Sequence, residues 1–220
     1  MTLLTVLLPQ RCAVCGRPGA GICDRCHTGL VRIVPPLCAR CGAPGAWPVR
    51  RCAECTGRRL AFACARAAIV YEERARALVG AWKERGRRDL APVAADLVVA
   101  TVPRPGVDAL CPVPGDRDRG LRRGHASASR LALELSARWG VPVLELLRRR
   151  SGVGRQRGLP REERRRNVAH TFAPALAAPR RVCLVDDVYT TGSTATACAT
   201  ELRRAGAVRV EVVCLARAVR

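Results

Sequence analysis

Residues 181–204 carry the clearest chemistry in the sequence. A short apolar run, Val182-Cys183-Leu184-Val185, leads into Asp186-Asp187-Val188-Tyr189-Thr190-Thr191-Gly192-Ser193-Thr194, and then into Ala- and Leu-rich residues of helical character. So brief an apolar run, ending in polar and small residues, reads as a buried parallel strand feeding a loop and a helix. The loop then lies at the carboxyl end of a strand, where open α/β sheets bind ligands. Thr190, Thr191, Ser193 and Thr194 bring hydroxyls, and the backbone around Gly192 brings N–H groups, to a helix N-terminus, an arrangement suited to a phosphate. Asp186 and Asp187 would repel that phosphate if aimed at it, so they are expected to accept hydrogen bonds from vicinal hydroxyls or to reach a phosphate-bound metal. Hydroxyls at one end and phosphate at the other describe a sugar phosphate. The plainer alternative is a helix cap, which needs one such residue rather than six. Neither G-x-x-x-x-G-K-[ST] nor a G-x-G-x-x-G opening a βαβ unit is present.

A second concentration of chemistry lies near the amino terminus. Four C-x-x-C pairs, Cys12/Cys15, Cys23/Cys26, Cys38/Cys41 and Cys52/Cys55, account for eight of the thirteen cysteines. Each pair points two sulfurs at one ion and two pairs complete a tetrahedron, so the expectation is two structural Zn²⁺ sites, filled in sequential order. Gly16 and Gly42 follow the second cysteine of a pair and give such knuckles the freedom they need. His27 adjoins Cys26 and is expected to be a bystander. Cys64, Cys111, Cys183, Cys198 and Cys214 sit singly in apolar surroundings and read as small core residues.

The elements that must position these groups follow from apolar patterning. A strand is expected over residues 62–71 and a helix over 72–85 with Ala75, Leu78, Val79 and Trp82 on one face. Lys83 near the end of that helix is either a dipole-compensating lysine or a ligand contact. A more apolar helix over 90–102 precedes a short buried strand near Leu110 and Cys111. A loop over 115–124 with Arg117, Arg119, Arg122 and Arg123 would suit a diphosphate. A helix bearing Leu131, Leu133, Leu135 and Trp139, a strand over 141–146, a long arginine-rich loop and a final strand over 208–215 complete the chain. The fold class is α/β, a three-layer arrangement of a mostly parallel sheet flanked by helices and preceded by a small zinc domain. The expected boundaries are 1–58 and 59–220.

The formal charge of +21 is carried by arginine, with Lys83 the one lysine. It favours anionic partners, nucleic acid or phosphorylated substrates, without choosing between them, and a genomic preference for arginine would give the same count. The apolar opening, residues 2–8, is too short to span a bilayer and poorly shaped as a signal peptide, so it reads as a helix packed on the body. A cytoplasmic location follows, where paired cysteines mean metal more often than disulfide.

The ten residues from Val185 to Thr194 closely resemble the phosphoribosyl-pyrophosphate (PRPP) signature of type I phosphoribosyltransferases. That resemblance implies ribose hydroxyls on Asp186 and Asp187 and the 5′-phosphate on residues 190–194, with Mg²⁺ arriving with PRPP. Tyr71 through Lys83-Glu84-Arg85-Gly86-Arg87, the Cys111-Pro112-Val113-Pro114 strand with Arg122-Arg123-Gly124, the segment from Gln156 to Asn167 and the four cysteine pairs together resemble the ComF family. These are phosphoribosyltransferase-like proteins with an amino-terminal double zinc ribbon, some linked to DNA uptake in natural competence. By that resemblance, residues 113–125 are the pyrophosphate loop, 148–167 close over the site, and Lys83, Arg122, Arg123 and Gln156 contact substrate. His125-Ala126-Ser127 departs from the family's Phe-Asn-Gln. His125 itself is an acid or base, or an ordinary loop residue. Two readings stay open: a phosphoribosyltransferase of unknown acceptor, or a non-catalytic PRPP sensor or scaffold that binds single-stranded DNA or a DNA-uptake partner protein, with no membrane span in either case.

Overall fold

A computed structural model describes residues 10–19, 21–115, 126–150 and 171–219. The expected opening helix over 2–8, Arg117, Arg119, Arg122, Arg123, His125, Gln156 and most of the arginine-rich loop lie outside the described residues.

The chain begins with two cysteine knuckle pairs and a short helix, α1 (Asp24–Thr28). It then runs β1 (Cys64–Val70), α2 (Glu73–Lys83), α3 (Leu90–Thr101), β2 (Ala109–Pro112), α4 (Ser127–Trp139), β3 (Leu147–Arg149), β4 (Phe172–Pro174), β5 (Arg181–Tyr189), α5 (Ser193–Arg204) and β6 (Arg209–Arg217). β1, β6, β5 and β2 form one sheet in that order, with every pairing parallel. All carboxyl ends therefore lie along one edge, with β5 inside the sheet.

Both faces are covered, as parallel sheets require. Cys183 and Val185 of β5 pack with Leu78 and Trp82 of α2, Leu97 of α3 and Leu131 and Leu135 of α4. Val182 and Leu184 face the other way, toward Cys198 and Leu202 of α5. Leu133, expected among the apolar residues of α4, points outward. Four of the five single cysteines are buried and Cys64 is half-buried, and burial raises all five thiols, as inert core residues should behave.

The structure corrects four expectations. β5 does not end at Val185 but continues through Asp186 and Asp187 to Tyr189, held in register against Cys214, Ala216 and Arg217 of β6. β6 likewise runs two residues further than expected. The strand expected over 141–146 is reduced to one parallel bridge between Val143 and Leu110, because Pro142 has no N–H to donate and only accepts from Leu110. Finally, the loop expected to start at residue 148 has an ordered base: β3 pairs antiparallel with β4, and Arg150 N–H donates to the Thr171 carbonyl.

Candidate ribose-phosphate site and zinc centres

Successive residues of a strand point to opposite faces, and at the end of β5 that alternation separates the two carboxylates. Asp187 turns toward the α2 and α4 side. It is 4% exposed, and Lys83 Nζ donates to both its oxygens, at 2.9 and 2.7 Å. Ser127 Oγ at the start of α4 donates to Oδ2 at 2.6 Å. Three elements remote in sequence thus meet on one carboxylate, which has about one acceptor position left. Asp186 accepts the backbone N–H of Asp187 at 2.9 Å. Burial, reinforced by the neighbouring Asp187 charge and opposed by Lys83, pushes its carboxyl up to about 7.

The turn after β5 is built around one glycine. Gly192 has φ +71°, which disfavours a side chain, and a Cβ there would collide with the Tyr189 hydroxyl. It is the N-cap of α5 and supplies no side-chain cap. Thr191 Oγ1 lies 2.9 Å from Ser193 Oγ and accepts the Ser193 N–H at 3.3 Å, so the hydroxyls crowd the helix N-terminus without closing it off by a conventional cap. Thr190 is exposed; Thr191, Ser193 and Thr194 are half-buried.

Of the residues singled out in the sequence, the structure brings Lys83, Asp186, Asp187 and residues 190–194 to the carboxyl edge of the sheet. Sequence reasoning missed Ser127, Tyr189, Arg217 and Arg58. Arg217 is 1% exposed, lies 4.7 Å over the Tyr189 ring and donates to the Cys41 carbonyl at 2.6 Å and to Glu54 Oε2 at 2.7 Å. A charged residue closing the apolar run of β6 was the available signal for it. Ser127 carried none beyond standing before a helix.

The cysteines assemble as expected from sequential pairing. Cys12, Cys15, Cys23 and Cys26 converge with all sulfurs within 4.8 Å of one another, and so do Cys38, Cys41, Cys52 and Cys55. Individual Sγ–Sγ separations of 3.8 Å in the first group and 3.4 to 3.9 Å in the second match the edge of a tetrahedron, about 3.8 Å, whose centre lies about 2.3 Å from each sulfur. Burial opposes charging of Cys12 and Cys38, yet backbone N–H groups, those of Cys15 and Cys23 for the first and Cys41 and Cys52 for the second, bring both thiols down to about 6. Their neighbours shift the other way: burial and the adjacent thiols push Cys26 up to about 12, and burial raises Cys41 and Cys55. His27 stands outside the set, with Nε2 3.4 Å from Arg32 Nη2.

Residues 3–64 match the double zinc ribbon domain family. Over 116 residues the chain is 39% identical to Competence protein F of Haemophilus influenzae, a match covering 50% of this chain and 51% of that protein, so the chain spans about half the length of the curated relative it matches. Among solved structures, it is similar to glutamine PRPP amidotransferase from B. subtilis, with 23% identity, 58% of this chain and 26% of that one covered, and a TM-score of 0.39. Adenine phosphoribosyltransferase from Thermoanaerobacter pseudethanolicus shows 16% identity, 57% and 78% coverage, and a TM-score of 0.36. On its metal-site geometry and its family match, the amino-terminal part of the chain is a double zinc ribbon, and half of the chain is similar in sequence to Competence protein F.

Proposed function

We propose that the carboxyl-terminal part, expected over 59–220, binds PRPP or another phosphorylated ribose at the carboxyl edge of its sheet and acts as a phosphoribosyltransferase. The observation that carries this reading is the end of β5: two carboxylates on the strand, followed at once by a helix N-terminus whose cap is Gly192 and whose neighbours are hydroxyls. The 5′-phosphate is assigned to the N–H groups and hydroxyls of Thr190, Thr191, Gly192, Ser193 and Thr194. Asp186, which accepts one backbone N–H, takes the ribose hydroxyls, while Asp187 is held by Lys83 and Ser127 and offers its remaining acceptor position.

Mg²⁺ fits this oxygen-rich edge through Asp186, and when bound with PRPP it supplies charge neutralisation of the diphosphate. The protein's part is to orient the sugar and to exclude water. Arg122, Arg123 and Gln156, outside the described residues, are assigned to the diphosphate and substrate side by the family resemblance alone. The test is calorimetric titration with PRPP, with and without Mg²⁺, on the wild type and on Asp186→Asn and Thr191→Ala, followed by an assay of pyrophosphate release across candidate bases. Equal affinity for all three proteins would reduce the loop to a decorated helix cap.

A second reading is favoured by one observation on the second ribbon. Trp47 is 70% exposed, and Arg50 and Arg51, both exposed, line a cavity of about 440 Å³ with Arg40. An exposed indole and exposed guanidinium groups on the same ribbon suit stacking of single-stranded DNA bases with phosphate contacts, and the relative is named Competence protein F. In this reading the ribose-phosphate site is a sensor and turnover is absent.

A further inference from the structure

The loop at residues 190–194 is held from beneath by the second zinc ribbon. Arg58, three residues beyond Cys55, donates from Nη2 to the Thr191 carbonyl oxygen, while its Nη1 donates to the Glu54 carbonyl at 3.4 Å. Arg217 is tied to the same ribbon through the Cys41 carbonyl at 2.6 Å, Cys41 Sγ at 3.5 Å and Glu54 at 2.7 Å, and its guanidinium covers the Tyr189 ring. The edge of Phe62 meets that ring at a centroid distance of 6.2 Å, and Arg40 of the second ribbon clamps the Phe62 segment by donating to the Leu60 and Ala63 carbonyls. Tyr189, fixed on two sides, presents the hydroxyl against which Gly192 turns.

We infer that the second four-cysteine site is the positioning support of the ribose-phosphate loop, with Arg58 and Arg217 as the positioning residues that pass its geometry on. The functional consequence, though not the mechanical one, rests on the reading of that loop as the phosphate site. A peptide group is planar, so fixing the Thr191 carbonyl on Arg58 also fixes the direction of the Gly192 N–H on the opposite side. Cys41 and the 52–55 knuckle can anchor these contacts only while their sulfurs share an ion, because a segment this poor in apolar residues takes much of its folding energy from metal. A bound Zn²⁺ with four thiolates leaves net negative charge, which also offsets the burial of Arg217. Among the described residues, the polar contacts from the first ribbon to the α2 side run elsewhere: Arg85 donates to the Ala13 carbonyl at 3.2 Å and Arg87 to the Arg11 carbonyl at 2.9 Å.

Hydrogen exchange of the peptide covering residues 186–198 tests this without requiring activity. Full-length wild type, Cys15→Ser (first site), Cys52→Ser (second site) and Arg58→Ala are compared, with zinc content measured for each. Loop amides in Cys52→Ser and Arg58→Ala should exchange roughly tenfold faster, and those in Cys15→Ser at the wild-type rate. Arg58→Lys, which keeps a donor and its charge, should recover part of the protection. PRPP affinity should fall roughly tenfold in Cys52→Ser and Arg58→Ala and remain unchanged in Cys15→Ser. Should Cys52→Ser fail to fold, Arg58→Ala decides alone. Wild-type exchange in Arg58→Ala with both zinc ions retained overturns the inference. If the exchange pattern holds but wild type binds no PRPP, the support stands and the phosphate reading falls.

Discussion

The two ribbons have the same ligands and the same knuckle spacing, yet they are joined to opposite faces of the sheet. Cys12, Ala13, Ile22, Cys26 and Leu30 of the first enter the core shared with α2, α3 and α4. Ile33, Cys38, Cys41, Ala43 and Cys55 of the second enter the core shared with α5 and β6. The first therefore stands behind the helix that ends in Lys83, and the second behind the loop that opens α5. Gly42 shows how closely the second is seated: its φ is +70°, and a Cβ would run into the Ala65 carbonyl of β1. Identical metal chemistry has been used for two different mechanical tasks, decided by the packing around each site.

The largest effect should come from the metal itself. Freshly prepared, reduced protein should contain two zinc ions per chain, and Cys15→Ser and Cys38→Ser should each lose one. Each loss should loosen its own ribbon while the sheet stays folded, a difference that hydrogen exchange resolves. Metal analysis returning no zinc would break the comparison at its root.

Next in size is Asp186→Asn, which should weaken PRPP binding by about 1 to 3 kcal/mol, roughly five- to 150-fold, in calorimetry. Asp186 is not among the cysteine ligands of either ribbon, so both zinc ions should be retained.

A smaller effect follows from the Asp186 carboxyl, whose folded value of about 7 lies above its ordinary 3.8. The folded state then holds a proton that the unfolded state releases, so this group's contribution to stability is full below about 4 and is lost as pH rises to about 7. Ligand or Mg²⁺ binding to the carboxylate runs the other way. PRPP affinity should rise from about pH 6 to about pH 8 by at most about tenfold per unit, with proton release visible in buffers of different ionisation heat. In Asp186→Asn that dependence should vanish; an unchanged profile would place the titrating group elsewhere.

The smallest effect separates the ribbon surfaces. Trp82 and Trp139 are buried, so quenching of tryptophan emission by single-stranded DNA reports on Trp47. Trp47→Ala should lower DNA affinity several-fold and abolish the quenching, and raising salt should weaken what remains. Removing the exposed Arg17 and Arg25 of the first ribbon should change affinity less than removing Arg50 and Arg51. Equal losses would mean that both ribbons meet the nucleic acid.

Much of this molecule is local in origin and could be read directly from the sequence. Four C-x-x-C pairs specify two tetrahedral sites because the geometry of each knuckle lies within a few residues, and the sequential grouping follows from proximity along the chain. The run from Val182 to Thr194 announces a strand, an acidic pair and a helix N-terminus for the same reason, as do the apolar faces of α2 and α4. What tertiary structure alone decided depends on residues far apart in sequence. Nothing local to Lys83 says that it closes on Asp187 or that Ser127 joins them. β5 keeps its pairing through two carboxylates because β6 lies alongside with free backbone groups, a stabilisation that side-chain hydrophobicity does not report. Arg58 and Arg217 look like two of many arginines until the fold places one on the Thr191 carbonyl and the other between Cys41 and Tyr189. Long-range contacts of this kind are set by the packing of whole elements, which no single stretch of sequence encodes.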